Sequence, residues 1–517
     1  MVTVPERLRK LFSFPVLLGA LLLGWVFWIA KASIADPDIW WHMENARYLF
    51  AHHHFPNFDT FSFTTLGHPW MDHEWLAEVP YYLGWRALGL TGVYVVYLGI
   101  LDFIFLAILY LGYKSSGNVK GSWIAACFCV FLGAVSFGPR TLLYGYIYLV
   151  ILLLVMQRFR SKGQAPLWLI PILFCLWVNS HGSWLIGLVV FGILIASGFI
   201  EGDWGRVYAV RWTPKQLRQL FVTAGASVAA LFINPWGYHL VYYPFDLAFR
   251  QKLTVNNIEE WASVDFNEPV RGKIVLIMLA ALLIGALVMK HKWELWQLGL
   301  AMLALYSGLT YVRFLFLAAI LVVPLLARFL DFIPPYRPEI DKPLLNAGII
   351  VAMLVIIISH FPTEDMLQNG VAERYPTAAV TYVKVHGLPG RTLNHYMWGG
   401  YLVWKDSGLK TFVDSRSDIY EYEGVLGDYL DMLRLKNSLK VLDKYQIRWV
   451  MFPPKEPLSY LLEHSGNWKV VYNDDVTEIF ERLGPMPPST WAPRSFPSVA
   501  AERRSSGAAK PSSGLHP

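Results

Sequence analysis

The chain has 517 residues, 55% of them hydrophobic and only 16% charged, a balance that excludes a string of ordinary soluble domains and marks an integral membrane protein. Its net charge of +6 is dispersed as short Lys/Arg clusters between apolar runs, which argues against nucleic-acid binding and for topology signals. The 22 Trp, 27 Tyr and 31 Phe suit rings that sit half wet at headgroup level.

Taken in chain order, eleven apolar runs approach the thickness of the hydrocarbon core: near 11–30, 92–113, 121–138, 142–157, 166–179, 183–200, 219–234, 273–289, 295–309, 313–330 and 344–360. The first is longer than a signal-peptide core, so an uncleaved first helix is expected, although Ala30-Lys31-Ala32 resembles a small-residue cleavage site. Cys127, Cys129 and Cys175 all fall inside apolar runs, without metal or redox spacing. Basic residues alternate with the runs: Arg7, Arg9 and Lys10; Lys114 and Lys120; Arg158, Arg160 and Lys162; Arg206, Arg211, Lys215 and Arg218; Lys290 and Lys292; Arg328, Arg337 and Lys342. All fall on one side of the membrane if every run crosses. Lys and Arg near span ends resist translocation, so that side is cytoplasmic, with the N-terminus inside and the C-terminus outside. The expected localisation is the cell's inner or plasma membrane.

At Phe361-Pro362 the hydrophobic runs shorten to strand length. The expected organisation is a transmembrane domain over 1–361 that includes the first external loop (31–89), an extracytoplasmic α/β domain over 362–483, and a disordered tail over 484–517, where Pro, Ser, Ala and Gly dominate. In the α/β domain 376–386 reads as a helix, 411–413 and 449–452 as buried strands, and 469–472 as a strand turning through Asn473-Asp474-Asp475 into 476–480.

The first external loop concentrates ionisable and aromatic groups: Asp36-Pro37-Asp38-Ile39-Trp40-Trp41-His42, then His52-His53-His54, then Asp72-His73-Glu74-Trp75. Asp36 before Pro37 is a good helix start. Asp38 and His42, four apart, then share a face. A second helix runs from Trp75 to about Leu88 and must lie along or dip into the surface, because the charges allow one full crossing between Asp72 and Lys114. Arg140, Asn179, His181, Glu260 and Arg313 lie in connections on the same face. Ionisable groups are costly near hydrocarbon, so their convergence suggests a cavity holding carboxylates and cations.

Plainer roles are open to each. Asp36 can be only a cap, Arg140 and Arg313 snorkelling anchors, and His181 a structural hydrogen-bonder. The triple histidine reads as an exposed loop end, Asp102 as a carboxylate paired inside the bundle, and Asp414 and Arg416 as a pair holding a strand end. The functional alternative is a site for a lipid-borne anionic substrate such as a polyprenyl-phosphate sugar. There a carboxylate, Asp36, Asp38 or Glu74, takes the proton of an acceptor hydroxyl. Positive charge from Arg140, Arg313 or a divalent cation (Mg or Mn) on Asp38 and Glu74 faces the departing phosphate. His42, Asp72, His73, Arg140, His181, Glu260 and Arg313 are the candidate substrate contacts.

These motifs, together with Asn179-Ser180-His181-Gly182, Trp398-Gly399-Gly400-Tyr401 and Asp414-Ser415-Arg416, resemble the GT-C superfamily of polytopic glycosyltransferases. The likeness is to bacterial relatives of the protein mannosyltransferases and the lipid A aminoarabinose transferases, over roughly residues 10–483. The resemblance implies an α-helical polytopic membrane fold of about eleven transmembrane helices with a C-terminal extracytoplasmic α/β domain. It implies a polyprenyl-phosphate or pyrophosphate sugar donor, an extracytoplasmic glycan, lipid or protein acceptor, and a base or metal ligand at Asp36 or Asp38. Where the aminoarabinose transferases open their surface helix with a Lys-Pro-Pro-Leu type motif, this chain has Asp72-His73-Glu74-Trp75-Leu76. A phosphate-binding lysine is missing there, and His73, Arg140 or Arg313 would have to replace it. A transporter or flippase would instead want broken helices and repeat symmetry, neither evident; a non-catalytic envelope scaffold would need only the external domain on an anchor.

Overall fold

The computed structural model describes residues 5–30, 34–257, 259–288, 292–488 and 491. Most of the tail expected to be disordered, and Lys31-Ala32 of the cleavage-like site, lie outside the described residues. The chain forms two compact units, Met1–Ala46 with His73–Glu373 and Arg47–Asp72 with Arg374–Pro517.

In the first unit every one of the eleven apolar runs is occupied by a helix. Five helices are long and apolar enough to cross a membrane: Trp75–Ser116, Val119–Ser136, Leu142–Lys162, Arg271–Val288 and Val312–Phe329. A sixth crossing results if Pro343–Ser359 is joined to Glu364–Ala372 across their 53° bend. This is a multi-pass membrane protein, but with fewer full-length spans among the described residues than the eleven expected. Phe14–Ala30, Leu169–Val178, Trp184–Ala196 and Leu295–Thr310 are apolar yet shorter; at about 1.5 Å per residue, a ten-residue helix covers only about half of the hydrocarbon core. The centre is the Leu315–Phe329 helix, whose residues from Leu315 to Ala327 are all buried, as befits a helix that is apolar all round. Asp102, expected to be paired, has a buried Oδ1 with no hydrogen-bond partner among the described residues.

The surface helix expected to end near Leu88 does so. The Trp75–Ser116 helix is broken at Leu88 (φ −140°) and Gly89 (φ 63°), the latter a conformation that favours glycine. Beyond the break the second segment starts with unpaired N–H groups, and Glu364 satisfies them. Its carboxylate accepts from Leu90 N (3.1 Å), Thr91 N (2.9 Å) and Thr91 Oγ1 (3.1 Å), the favourable placement of negative charge at a helix N-terminus. The first unit extends past 361 to Glu373.

The second unit holds a four-stranded sheet in the order Arg391–Asn394, Ile447–Phe452, Glu478–Arg482, Trp468–Asn473. The first pair is parallel and the others antiparallel. The helix expected at 376–386 is Thr377–His386, and the strand Arg391–Asn394 was not anticipated. Residues 411–413 do not join the sheet. Thr411 instead bridges in parallel to Ser62, with Phe63 N donating to Thr411 O (3.0 Å) and Thr411 N to Phe61 O (3.2 Å). A piece of the loop expected to be external, Arg47–Asp72, is thus part of the C-terminal unit and not of the helical one. The Asp414–Arg416 pair is present, but Arg416 also reaches Asp59 from that loop piece (2.8 Å), and all three side chains are buried. Ser62 and Thr65 hydroxyls complete the shell of Asp59 at 2.5 and 2.9 Å, so a buried charge network holds the segment in place. His52, His53 and His54 are exposed.

Candidate active site

The site is assembled within the first unit from the start of the Asp38–His52 helix, the start of the Trp75–Ser116 helix, and the connections around 140, 181, 260 and 313. Asp36 does act as a cap, accepting from Asp38 N at 3.0 Å. Its other oxygen pairs with Arg140 Nε, and Arg140 Nη1 pairs with Glu260. Burial alone would lower the Arg140 guanidinium, but Asp36 and Glu260 outweigh it and hold the group above its ordinary range. Asp38 accepts from Trp41 Nε1 at 3.2 Å.

Glu74 is held by the residue that follows Arg140, accepting from Thr141 Oγ1 at 3.0 Å. Both acidic motifs are therefore drawn to adjacent residues, 140 and 141. Three imidazoles face the Glu74 carboxylate: His42 Nε2 at 3.5 Å, His181 Nε2 at 3.5 Å and His73 Nε2 at 3.6 Å. His42 Nδ1 lies 2.7 Å from Glu78 Oε1, which also accepts from Asn45 Nδ2 at 3.4 Å. His181 Nδ1 accepts from Ser183 N at 3.0 Å, which leaves the His181 proton on Nε2, toward Glu74. Burial, then the neighbouring His73 and His181, hold His42 well below the usual histidine value; burial, then Arg313 and His73, do the same to His181. Both rings are neutral at pH 7. The elements are pinned together by Asn179, which accepts from Trp75 Nε1 (2.9 Å) and Leu76 N (3.1 Å).

Arg313 joins the two clusters. It lies in electrostatic range of Glu260 and Arg140 on one hand and Glu74 and His181 on the other. Its guanidinium stacks 4.3 Å from the Trp261 ring centroid, and its buried Nε has no hydrogen-bond partner among the described residues. Stacking fixes the plane of the cation while leaving donors for an incoming anion.

No family model and no curated protein matches the chain. Solved structures do. The oligosaccharyltransferase of Archaeoglobus fulgidus, tethered to an acceptor peptide containing the NVT sequon, superposes with a TM-score of 0.53 at 11% identity, covering 84% of this chain and 69% of that one. ArnT from Cupriavidus metallidurans gives 0.50 in the apo state at 13% identity and 0.49 with undecaprenyl phosphate bound at 12%, each covering 91% of this chain and 98% of that one. The fold is GT-C-like.

On this GT-C-like frame the structure brings together Asp36, Asp38, His42, His73, Glu74, Arg140, His181, Glu260 and Arg313 of the residues singled out from sequence. Asp72 belongs to the second unit, where it is buried. The divalent cation expected on Asp38 and Glu74 finds no ligand set. The two carboxylates are engaged by different partners, and among the described residues no three His, Cys, Asp or Glu side chains are arranged to hold a metal ion. Glu78, Thr141 and Trp261 were missed. Glu78 had a signal, since it stands four residues after Glu74 on one helical face, but its partner His42 lies 36 positions away.

Proposed function

We propose that this protein is a membrane glycosyltransferase that moves a sugar from a polyprenyl-phosphate-linked donor to an extracytoplasmic acceptor, with inversion at the anomeric carbon. The observation that carries the reading is the meeting of the two acidic motifs at Arg140 and Thr141 beside the stacked Arg313. Arg313 and Arg140 would receive the donor phosphate, the role for which no lysine stands at the start of the surface helix. As the acceptor oxygen attacks the anomeric carbon, its proton passes to a carboxylate. The anomeric C–O bond to phosphate breaks as the new bond forms, and the charge left on the phosphate faces the two guanidinium groups.

Among the candidate bases, Asp36 is neutralised by Arg140, whereas Glu74 faces the neutral His42 and His181 and a hydroxyl. That favours Glu74 as the base and Asp36 as the residue that positions Arg140, with Asp38 beside them. The reading requires the first external loop on the extracytoplasmic side, with the N-terminus in the cytoplasm.

The test compares glycans and lipid-linked sugars in a deletion strain and in the strain complemented with wild type, Asp36→Asn, Asp38→Asn or Glu74→Gln. Loss of one linkage, accumulation of its lipid-linked precursor, and failure of Glu74→Gln to restore it are expected. Unchanged glycans and carrier lipids in the deletion strain, or full complementation by all three variants, would overturn the proposal.

A further inference from the structure

Apart from the candidate active site, an apolar groove of about 680 Å³ opens between the Phe14–Ala30 and Trp75–Ser116 helices. Lys114, beside it, stands about 36 Å along the helix from residue 90, at about 1.5 Å of rise per residue. The groove walls include Gly19, Ala20, Leu23, Leu106, Tyr110 and Tyr113. Glycine and alanine on one helix create the hollow, and aromatic rings on the other line its mouth.

Two lysines stand on aromatic rings beside the groove. Lys114 Nζ lies 5.0 Å from the Tyr110 ring centroid and 5.8 Å from that of Tyr113. Lys120 Nζ lies 6.0 Å from Phe14, which stacks on Tyr336, another wall residue. Aromatic faces hold the ammonium groups at the rim without neutralising them. Of the carboxylates close by, Asp341 is already occupied: it accepts from Phe14 N (3.0 Å), Tyr336 Oη (2.6 Å), Asn346 Nδ2 (2.8 Å) and Lys342 N (2.8 Å). Glu339 lies in electrostatic range of Tyr336, and Glu6 is paired with Lys10 at 2.7 Å. Arg7 and Arg9 add positive charge in the helix leading into this end. A hydrocarbon slot under a cationic rim is complementary to one ligand chemistry, an anionic phosphate on acyl chains.

We infer that this groove is a specific site for one anionic diacyl phospholipid, its phosphate held by Lys114 and Lys120 and an acyl chain lying along Gly19 and Ala20. Such a lipid fills the hollow between the Phe14–Ala30 helix and the helix that carries Glu78 and the break at Gly89. The site differs from an ordinary lipid-facing surface in being concave and in presenting its charge at the mouth. It does not depend on the proposed transferase activity.

Native mass spectrometry of the purified full-length protein tests the inference, titrating phosphatidylglycerol against phosphatidylcholine of the same chains. A saturable single-site preference for phosphatidylglycerol is expected. Lys114→Gln/Lys120→Gln should weaken it by roughly 25-fold, about fivefold per lysine, while Gly19→Phe should block both lipids by filling the slot. The first variant changes only the rim, so its folding can be checked by an unchanged melting profile. Equal retention of the two lipids, or phosphatidylglycerol binding that survives both variants, would overturn the inference. So would displacement of phosphatidylglycerol by an equimolar polyprenyl phosphate, which would assign the groove to a single-chain carrier.

Discussion

Replacing Arg416 by Met should unfasten the Arg47–Asp72 segment from the C-terminal unit. The Arg416 guanidinium is fully buried, donates to Asp414 at 2.9 and 2.7 Å and to Asp59 at 2.8 Å, and lies 4.9 and 5.0 Å from the rings of Phe61 and Trp70. Burial pushes the Asp59 carboxyl upward, but Arg416, with Ser62 and Phe61, outweighs it and holds the group below the usual carboxylate range. In Arg416→Met, the burial effect acts on Asp59 without its counter-charge. Breaking a buried pair by removing one partner costs about 3–5 kcal/mol, which at about 2–4 °C per kcal/mol for a unit of this size lowers its melting temperature by roughly 6–20 °C. The assay is thermal unfolding of the full-length protein in detergent with limited proteolysis of the 47–72 segment; cleavage there should rise before cleavage elsewhere in the unit. Replacing Asp59, Asp414 and Arg416 together by apolar residues of similar volume should recover much of the loss. A loss under about 1 kcal/mol with the segment still protected, against the 3–5 expected, would refute the account of this network as the clasp.

Glu78→Gln should lower turnover by about 10²-fold with little change in KM, because a carboxylate that sets the His42 proton on Nδ1 acts through the ring facing Glu74 and not on substrate binding; steady-state kinetics on membranes decide it, and an unaffected turnover would make the pair purely structural. His395 is held down to about 4 by burial. The unfolded state therefore binds the extra proton, and the stabilisation is present above about pH 6.5 and lost as pH falls toward 4, up to about 3 kcal/mol in all. Melting the protein across that window, with His395→Phe flattening the slope, checks the sign. Glu364→Gln should cost about 1 kcal/mol through the weakened cap on residues 90 and 91, seen as faster amide exchange at the start of the 90–116 segment with no change at its far end.

Composition and the spacing of the apolar runs were enough to establish a multi-pass helical membrane protein, the positions of its eleven apolar helices and the break near Leu88, though not where the second unit begins. These are properties of segments that local hydrophobicity and glycine or proline placement encode directly. The acidic and basic site residues were also legible one by one, because ionisable groups beside hydrocarbon are rare enough to stand out. Their partnerships were not. Nothing local says that Asp36 closes on Arg140, that Glu74 collects three imidazoles from three segments, or that Glu78 sits behind His42. Likewise Asp59 and Arg416 are 357 positions apart, and no pattern near either one announces that a piece of the first loop folds with the C-terminal sheet. Helix lengths, and with them the number of full crossings, also waited for the structure, since hydropathy marks where a run is apolar but not where tertiary contacts end its helix. Charge pairing across long separations is decided by which surfaces the packed helices bring face to face, and only the tertiary structure holds that information.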